Sequence, residues 1–195
     1  MIKLFLRLKH WQLFLLLLGV PLLFQFYVMF ALLWNLKTDP NPTNESVLNF
    51  FEVFPLVMIL FTGVFFGWFW SIALGLKEKI PAEIKMKTTR FKIFFFIPLV
   101  YIVSLMIYLG NIFSGLQVDD AFEAGSWIVV VIVPLHLFSM FCMFHTMYFV
   151  AKTIKTAELQ RKAGFGDFVV EFFLLWIYFI GIWIIQPRIN KLAAV

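Results

Sequence analysis

Four polar side chains inside long apolar stretches are the residues of this chain whose types could support chemistry: Gln25, His136, His145 and Glu171. An imidazole can bind a metal or exchange a proton near neutral pH, and a carboxylate in an apolar segment can relay a proton or a cation. An amide favours hydrogen bonds between helices. We treat the four as a candidate intramembrane polar site, with hydrogen-bonded packing as the alternative.

The spacing of these residues does not match common enzyme or cofactor chemistry. Nine positions separate His136 from His145, a rotation of about 900° on a helix, so the two rings point to opposite sides and cannot bind one haem. His10, Cys142 and His145 form a disfavoured metal-binding alternative. The sequence contains no nucleophile motif, phosphate-binding glycine loop, catalytic carboxylate pair or zinc motif. We expect no catalytic residues, no metal and no cofactor, and lean against an enzyme.

The composition places these residues in helices that cross a membrane. Of the 195 residues, 63% are hydrophobic and 14% are charged, whereas soluble domains average about 45 to 50% and about 25%. Four runs lack Asp, Glu, Lys and Arg, and each can span roughly 30 Å of hydrocarbon as a helix. These runs are Trp11–Leu36, Val53–Leu76, Ile93–Phe113 and Trp127–Ala151. The sequence predicts an all-α membrane bundle of four transmembrane helices in one integral membrane domain, 1–195.

The charges between the runs alternate in sign. The N-terminus and the loops after the second and fourth runs hold 13 basic residues, and the other two loops hold only Lys37 among acidic residues such as Asp39 and Asp119. Positive loops stay in the cytoplasm, so we expect a multi-pass protein with a cytoplasmic N-terminus. The net charge of +5 then favours a lipid bilayer, with anionic headgroups at the basic loops, and not nucleic acid, as the partner.

A fifth apolar segment, 168–186, has two interpretations. As a fifth span it would carry Arg188 to the outer side, about 25 Å from Glu171. As a re-entrant or interfacial hairpin, broken near Gly181 and stopped by Pro187, it would return the C-terminus to the cytoplasm and let Glu171 approach Arg188. The charge bias favours the hairpin. Glu171 is then a proton or cation relay or, as the alternative, an interfacial carboxylate near a helix N-terminus.

Small residues recur at every fourth position of the second run: Gly63, Gly67, Ser71 and Gly75. Such a stripe lets another helix approach closely, which replaces the hydrophobic drive that lipid removes. The sequence predicts a helix-packing site here. Its partner is either a helix of the same chain or a second protomer.

Three strings carry a resemblance to a known group of proteins. They are the C-terminal Gly181–Lys191 with the preceding Glu171–Trp176, the opening Leu8–Phe14, and Ile132–Phe141. Together they resemble small bacterial multispanning inner-membrane proteins with the same type of ending, over most of the chain. The resemblance implies a bacterial inner-membrane location and implies no particular activity.

Two functions follow as hypotheses. The first is a non-enzymatic accessory or self-assembling helical membrane protein, in a homo-oligomer or with a membrane partner protein, because of the small-residue stripe and the short loops. The alternative is a transporter or channel for a small molecule or an ion, because the four runs each contain a proline (Pro21, Pro55, Pro98 and Pro134) and because Gln25, His136 and His145 lie within them. A polar cavity containing Gln25 and His136 would favour transport, and an interior packed with Phe would favour assembly.

Overall fold

The computed structural model describes residues 2–38, 44–115 and 125–194, and every regular element in these ranges is helical. The prediction of an all-α fold is confirmed. Much of the two acidic loops, including Asp39 and Asp119, lies outside the described residues. The elements in chain order are α1 (Ile2–Arg7), α2 (His10–Phe14), a π-helical stretch (Leu15–Gly19), α3 (Val20–Thr38), α4 (Asn44–Gly75), a 3-10 turn (Leu76–Lys79), α5 (Thr88–Gly115), α6 (Gly125–Leu159), α7 (Phe165–Trp176) and α8 (Tyr178–Ala194).

Four stretches are long and apolar enough to cross a membrane: His10–Ala31, Val53–Lys79, Thr88–Asn111 and Val130–Leu159. They contain 22 to 30 residues, or about 33 to 45 Å at about 1.5 Å per residue, against roughly 30 Å of hydrocarbon. They coincide with the four predicted spans. The chain is an integral membrane protein.

The last long helix extends further than the charge pattern predicts. That pattern indicates a basic loop from Lys152 onward, but α6 continues to Leu159. No residue from 150 to 158 is exposed on this extension: Val150, Ile154 and Ala157 are buried, and the charged Lys155 and Glu158 are half-buried. The connection to α7 is therefore short.

The hydrophobic core lies towards one end of the bundle. We call it the basic end: the end at which α1, the turn Leu76–Lys79, the start of α5 and the end of α6 meet. Trp68, Phe69 and Phe91 are fully buried there, and the ring of Phe91 stacks on that of Phe149 with 4.7 Å between centroids. Aromatic rings at such distances attract one another beyond their burial. Around these rings, the interior between α4, α5 and α6 is thus filled by side chains.

In the opposite half of the bundle, α5 still packs on α4, where a Cβ atom on Gly110 would lie 3.6 Å from Pro55, but the described parts of α3 and the first part of α6 are open. Leu23, Phe26 and Phe30 on α3 and Leu137 on α6 are exposed. On α6 every residue from 133 to 138 is exposed. Since successive helical residues point about 100° apart, exposure of consecutive residues means that the helix is uncovered on most sides. We call this half the open half.

The fifth apolar segment folds as a helical hairpin. The chain bends at Ile177 (φ −90°, ψ 59°), and α8 returns along α7. The predicted break at Gly181 is wrong: Gly181 lies inside α8, where a Cβ atom would overlap the carbonyl oxygen of Leu174 on α7. The predicted stop at Pro187 is also wrong, because α8 continues to Ala194 and loses only the hydrogen bond that the proline nitrogen cannot donate.

The tip of the hairpin reaches the middle of the bundle. The ring of Tyr178 lies 5.8 Å from that of Phe61 and 5.7 Å from that of Phe65, and Trp176 lies 5.6 Å from Phe144. These partners lie near the centres of their spans. The 12 residues of α7 extend only about 18 Å, which is too short to cross hydrocarbon of roughly 30 Å.

Candidate functional site

The hairpin brings Glu171 and Arg188 together in a four-residue charged cluster. Arg188 Nη2 donates to Glu171 Oε1 at 2.6 Å, and its Nε and Nη2 donate to the two carboxylate oxygens of Glu158 at 2.7 and 2.6 Å. Lys155 Nζ lies 3.3 Å from Glu171 Oε1 and 3.4 Å from Glu158 Oε2. Two cations thus face two carboxylates, and the forked guanidinium joins α6 to both arms of the hairpin.

Because the charged cluster is buried, it is important for holding α6, α7 and α8 together. The side chain of Glu171 is only 3% exposed, and its Oε2 is buried without a hydrogen-bond partner among the described residues. A buried charge is tolerated when its partners stay in place, and removing one partner is strongly destabilising. The hydrogen bonds of Arg188 to Glu158 raise the pKa of the guanidinium above its ordinary value against the effect of desolvation, and the bond to Glu171 adds to this rise. Arg188 therefore remains charged.

A second polar cluster, on the same turn of α8, holds the end of α1. The fully buried Gln186 accepts a hydrogen bond from Trp68 Nε1 at 2.8 Å and donates to the carbonyl oxygens of Phe5 and Leu8, both at 2.9 Å. Asn190, one turn later, donates to the carbonyl of Leu8 at 3.1 Å. The last carbonyl groups of a helix have no partner within it, so these amides complete the end of α1.

The small-residue stripe is covered at two positions by α1. A Cβ atom on Gly67 would lie 2.9 Å from the ring of Phe5, and one on Gly75 would lie 2.8 Å from Ile2. The Ser71 hydroxyl donates to the Gly67 carbonyl at 2.7 Å. A Cβ atom on Gly63 would meet nothing within 4 Å among the described residues. The stripe thus gives close packing to the chain's own N-terminal helix.

The other three predicted polar residues lie apart from the charged cluster. Gln25 is exposed inside its span, six residues before the end, and has no hydrogen bond among the described residues. His136 is exposed too, and its Nδ1 lies 3.2 Å from the Tyr101 hydroxyl oxygen. His145 is half-buried with its ring 4.3 Å from Phe94. The structure therefore does not bring Gln25, His136, His145 and Glu171 into one site.

The residues of the metal-binding alternative also lie apart. His10 packs against Trp183 with 4.7 Å between ring centroids, whereas His145 packs on Phe94. In the part of the chain that the structure describes, no three His, Cys, Asp or Glu side chains are grouped to hold a metal ion. The arrangement of the polar residues supports fastening of helices.

No family model, curated protein or solved structure matches this chain. Its function must therefore be inferred from its own geometry.

Sequence reasoning misses most of the polar residues that fasten the fold. The charge pattern places Lys155 among loop cations and indicates no role for Glu158, Gln186 or Asn190. A signal is present in the string Gln186–Asn190, which places two amides four residues apart, hence on one face of a helix, with an arginine between them.

Proposed function

We propose that the protein is a non-enzymatic helical membrane protein that self-associates through α3 in the open half. The observation that carries this proposal is Gln25, an exposed amide inside an apolar span, six residues before its end. Lipid offers an amide no hydrogen-bond partner, so a facing helix with a polar group stabilises it. An amide both donates and accepts, and two copies of Gln25 are complementary across a two-fold axis.

The alternative of a transporter or channel has less support. Gln25 and His136, which motivated it, both lie on the exposed surface. The basic end is packed with aromatic side chains such as Phe66, whose ring lies 5.2 Å from that of Phe95. A packed interior and outward polar groups support association between helices.

The basic end is proposed to face the cytoplasm of a bacterium, in its inner membrane. The 13 basic residues of the N-terminus and of the two basic loops support this orientation. The hairpin α7–α8 then enters from the cytoplasmic side, turns near the middle of the bilayer and returns, with the charged cluster at its base.

Cysteine crosslinking tests the association. In a Cys142→Ser background, Phe26→Cys is compared with Val100→Cys, a position of similar exposure on α5 (65% and 59%). We expect an oxidised covalent dimer for Phe26→Cys and none for Val100→Cys. Gln25→Leu should weaken the dimer about 3- to 30-fold, the range for a hydrogen bond between membrane helices.

Three results would contradict the proposal. These are no dimer at Phe26, equal crosslinking at both positions, or a dimer indifferent to Gln25→Leu. Crosslinking of Phe26→Cys to a different membrane protein would assign α3 to a hetero-partner and overturn self-association.

A further inference from the structure

A cavity of about 540 Å³ opens at the basic end between α1, the end of α4 and the end of α8. Gly75, Ala193 and Ala194 form the small-residue part of its lining. The proposed self-association uses the opposite half of the molecule and leaves this cavity free.

Three cationic side chains line the cavity. Lys3 and Arg7 lie four residues apart on α1, hence on one face, and Lys79 comes from the turn after α4. Within the described residues none of the three has a carboxylate within ion-pair distance. Among the described residues of the lining, Glu78 is the one carboxylate. The described lining therefore carries a net positive charge, with three cations against one carboxylate.

The backbone next to Arg7 offers these cations few competing acceptors. Asn190, which also lines the cavity, donates to the carbonyl oxygens of Leu6 and Leu8 at 2.9 and 3.1 Å. Gln186 donates to the carbonyl of Leu8 as well. The Leu8 carbonyl thus accepts two hydrogen bonds and the Leu6 carbonyl one, so these oxygens compete less for the cations of the lining.

The cavity lies at the level of lipid headgroups. One candidate span begins at His10, three residues after Arg7, and another ends at Lys79 itself. Trp11 is 46% exposed at the start of its span, and tryptophan is enriched where hydrocarbon meets headgroups. Basic pockets between transmembrane helices at this depth suit anionic headgroups.

We propose that this cavity binds a phosphate-containing anion, carried either by a phospholipid headgroup or by a free phosphate ester. The guanidinium of Arg7 can donate two parallel hydrogen bonds to phosphate oxygens, and Lys3 and Lys79 act as compact charges around it. A zwitterionic headgroup brings its own cation into the cavity and binds less well.

The test measures ligands bound to the full-length protein in a nonionic detergent. Native mass spectrometry counts bound phosphatidylglycerol and phosphatidylcholine, and equilibrium dialysis measures glycerol phosphate and inorganic phosphate. The cavity variant is Arg7→Gln with Lys79→Gln. The matched control is Lys85→Gln with Lys87→Gln, which removes two exposed cations from the neighbouring segment outside the cavity.

We expect the parent protein to bind phosphatidylglycerol better than phosphatidylcholine. The cavity variant should bind phosphatidylglycerol about 30-fold more weakly than the parent, and the control should bind it within about threefold of the parent. Arg7→Lys with Lys79→Arg keeps both charges and should bind within about fivefold of the parent, which separates charge loss from misfolding. If inorganic phosphate does not displace the lipid, the cavity is a lipid site. If glycerol phosphate binds as well as phosphatidylglycerol, the ligand of the cavity is a soluble phosphate ester. Equal losses in the cavity variant and the control, or no preference for the anionic ligands, would overturn the proposal.

Discussion

Replacing Arg188 with alanine should destabilise the protein strongly. The change removes hydrogen bonds of 2.6 to 2.7 Å to Glu158 and Glu171, and leaves Lys155, at 3.3 Å, as the remaining cation of Glu171. Glu171 is 3% exposed and one of its oxygens already lacks a partner among the described residues. Breaking a buried pair costs about 3 kcal/mol or more, which lowers the Tm of a chain of this length by roughly 6 to 12 °C.

Thermal unfolding in detergent, followed by tryptophan fluorescence, measures this loss. Arg161→Ala is the matched control, because Arg161 also holds a carboxylate through two hydrogen bonds, both 3.0 Å long to Asp167, but is 60% exposed. Exposed pairs contribute little, so the control should retain most of the parental Tm.

A double variant separates charge imbalance from lost packing. Arg188→Met with Glu171→Met removes both charges and keeps apolar volume, and Lys155 and Glu158 remain paired at 3.4 Å. Since replacing a buried ion pair with packed apolar groups is often nearly neutral, we expect at least half of the lost stability to return. The reasoning is refuted if Arg188→Ala melts no lower than Arg161→Ala, or if the double variant melts below the single one.

Three further predictions follow from the hairpin. Gly181→Ala should lower the free energy of unfolding by about 1 to 3 kcal/mol, because the added Cβ overlaps the Leu174 carbonyl. The control Gly63→Ala, with open space around the added Cβ, should be neutral or stabilising. Equal losses of stability in the two variants would contradict the close approach of α7 and α8 at Gly181. Hydrogen bonds from Arg161 and from the Gly164 backbone lower the pKa of Asp167 below 3.8, so the stability that its carboxylate contributes is present above that pH and is lost as the pH falls through the lowered pKa. The Tm difference between the parent protein and Asp167→Asn should therefore be constant from pH 7 to 5 and shrink below pH 3.8. A difference that vanished near pH 6 would be evidence against this assignment. Reporter tags after residue 85 and at the C-terminus should respond from one compartment and a tag after residue 40 from the other; opposite sides for the first two would show that 168–186 crosses the membrane.

The spans are predictable from the sequence because charge and hydropathy act over whole helices. Runs of more than 20 residues without a charge have few alternatives, and the charge bias favours a returning hairpin over a fifth span. The position of the bend is not predictable in the same way, because glycine and proline also occur inside packed helices. Gly181 and Pro187 both lie within α8, and Gly181 allows its close approach to α7. The bend instead occurs at Ile177, whose residue type gives no signal for a turn.

The site is less predictable, because hydropathy does not report how a helix is rotated. α3 is apolar on all sides, so nothing in its periodicity indicates that Gln25 points outward. The charge pattern assigns Lys155 to a loop and indicates no role for Glu158, because charges are expected outside the membrane, although both lie half-buried on the extension of α6. Which distant charges meet depends on the hairpin, and contacts between residues 17 or 30 positions apart are fixed by tertiary packing.

The distribution of polar contacts explains why one half of the bundle is closed and the other open. In lipid, apolar side chains gain little by leaving the solvent, so helices are held by close packing and hydrogen bonds. At the basic end both are present, since α8 binds α1 through Gln186 and Asn190 and binds α6 and α7 through Arg188. In the open half the described part of α3 displays Gln25 without a partner. A second helix can therefore bind there without disturbing the contacts that hold the fold, and this separation is what an assembling membrane subunit requires.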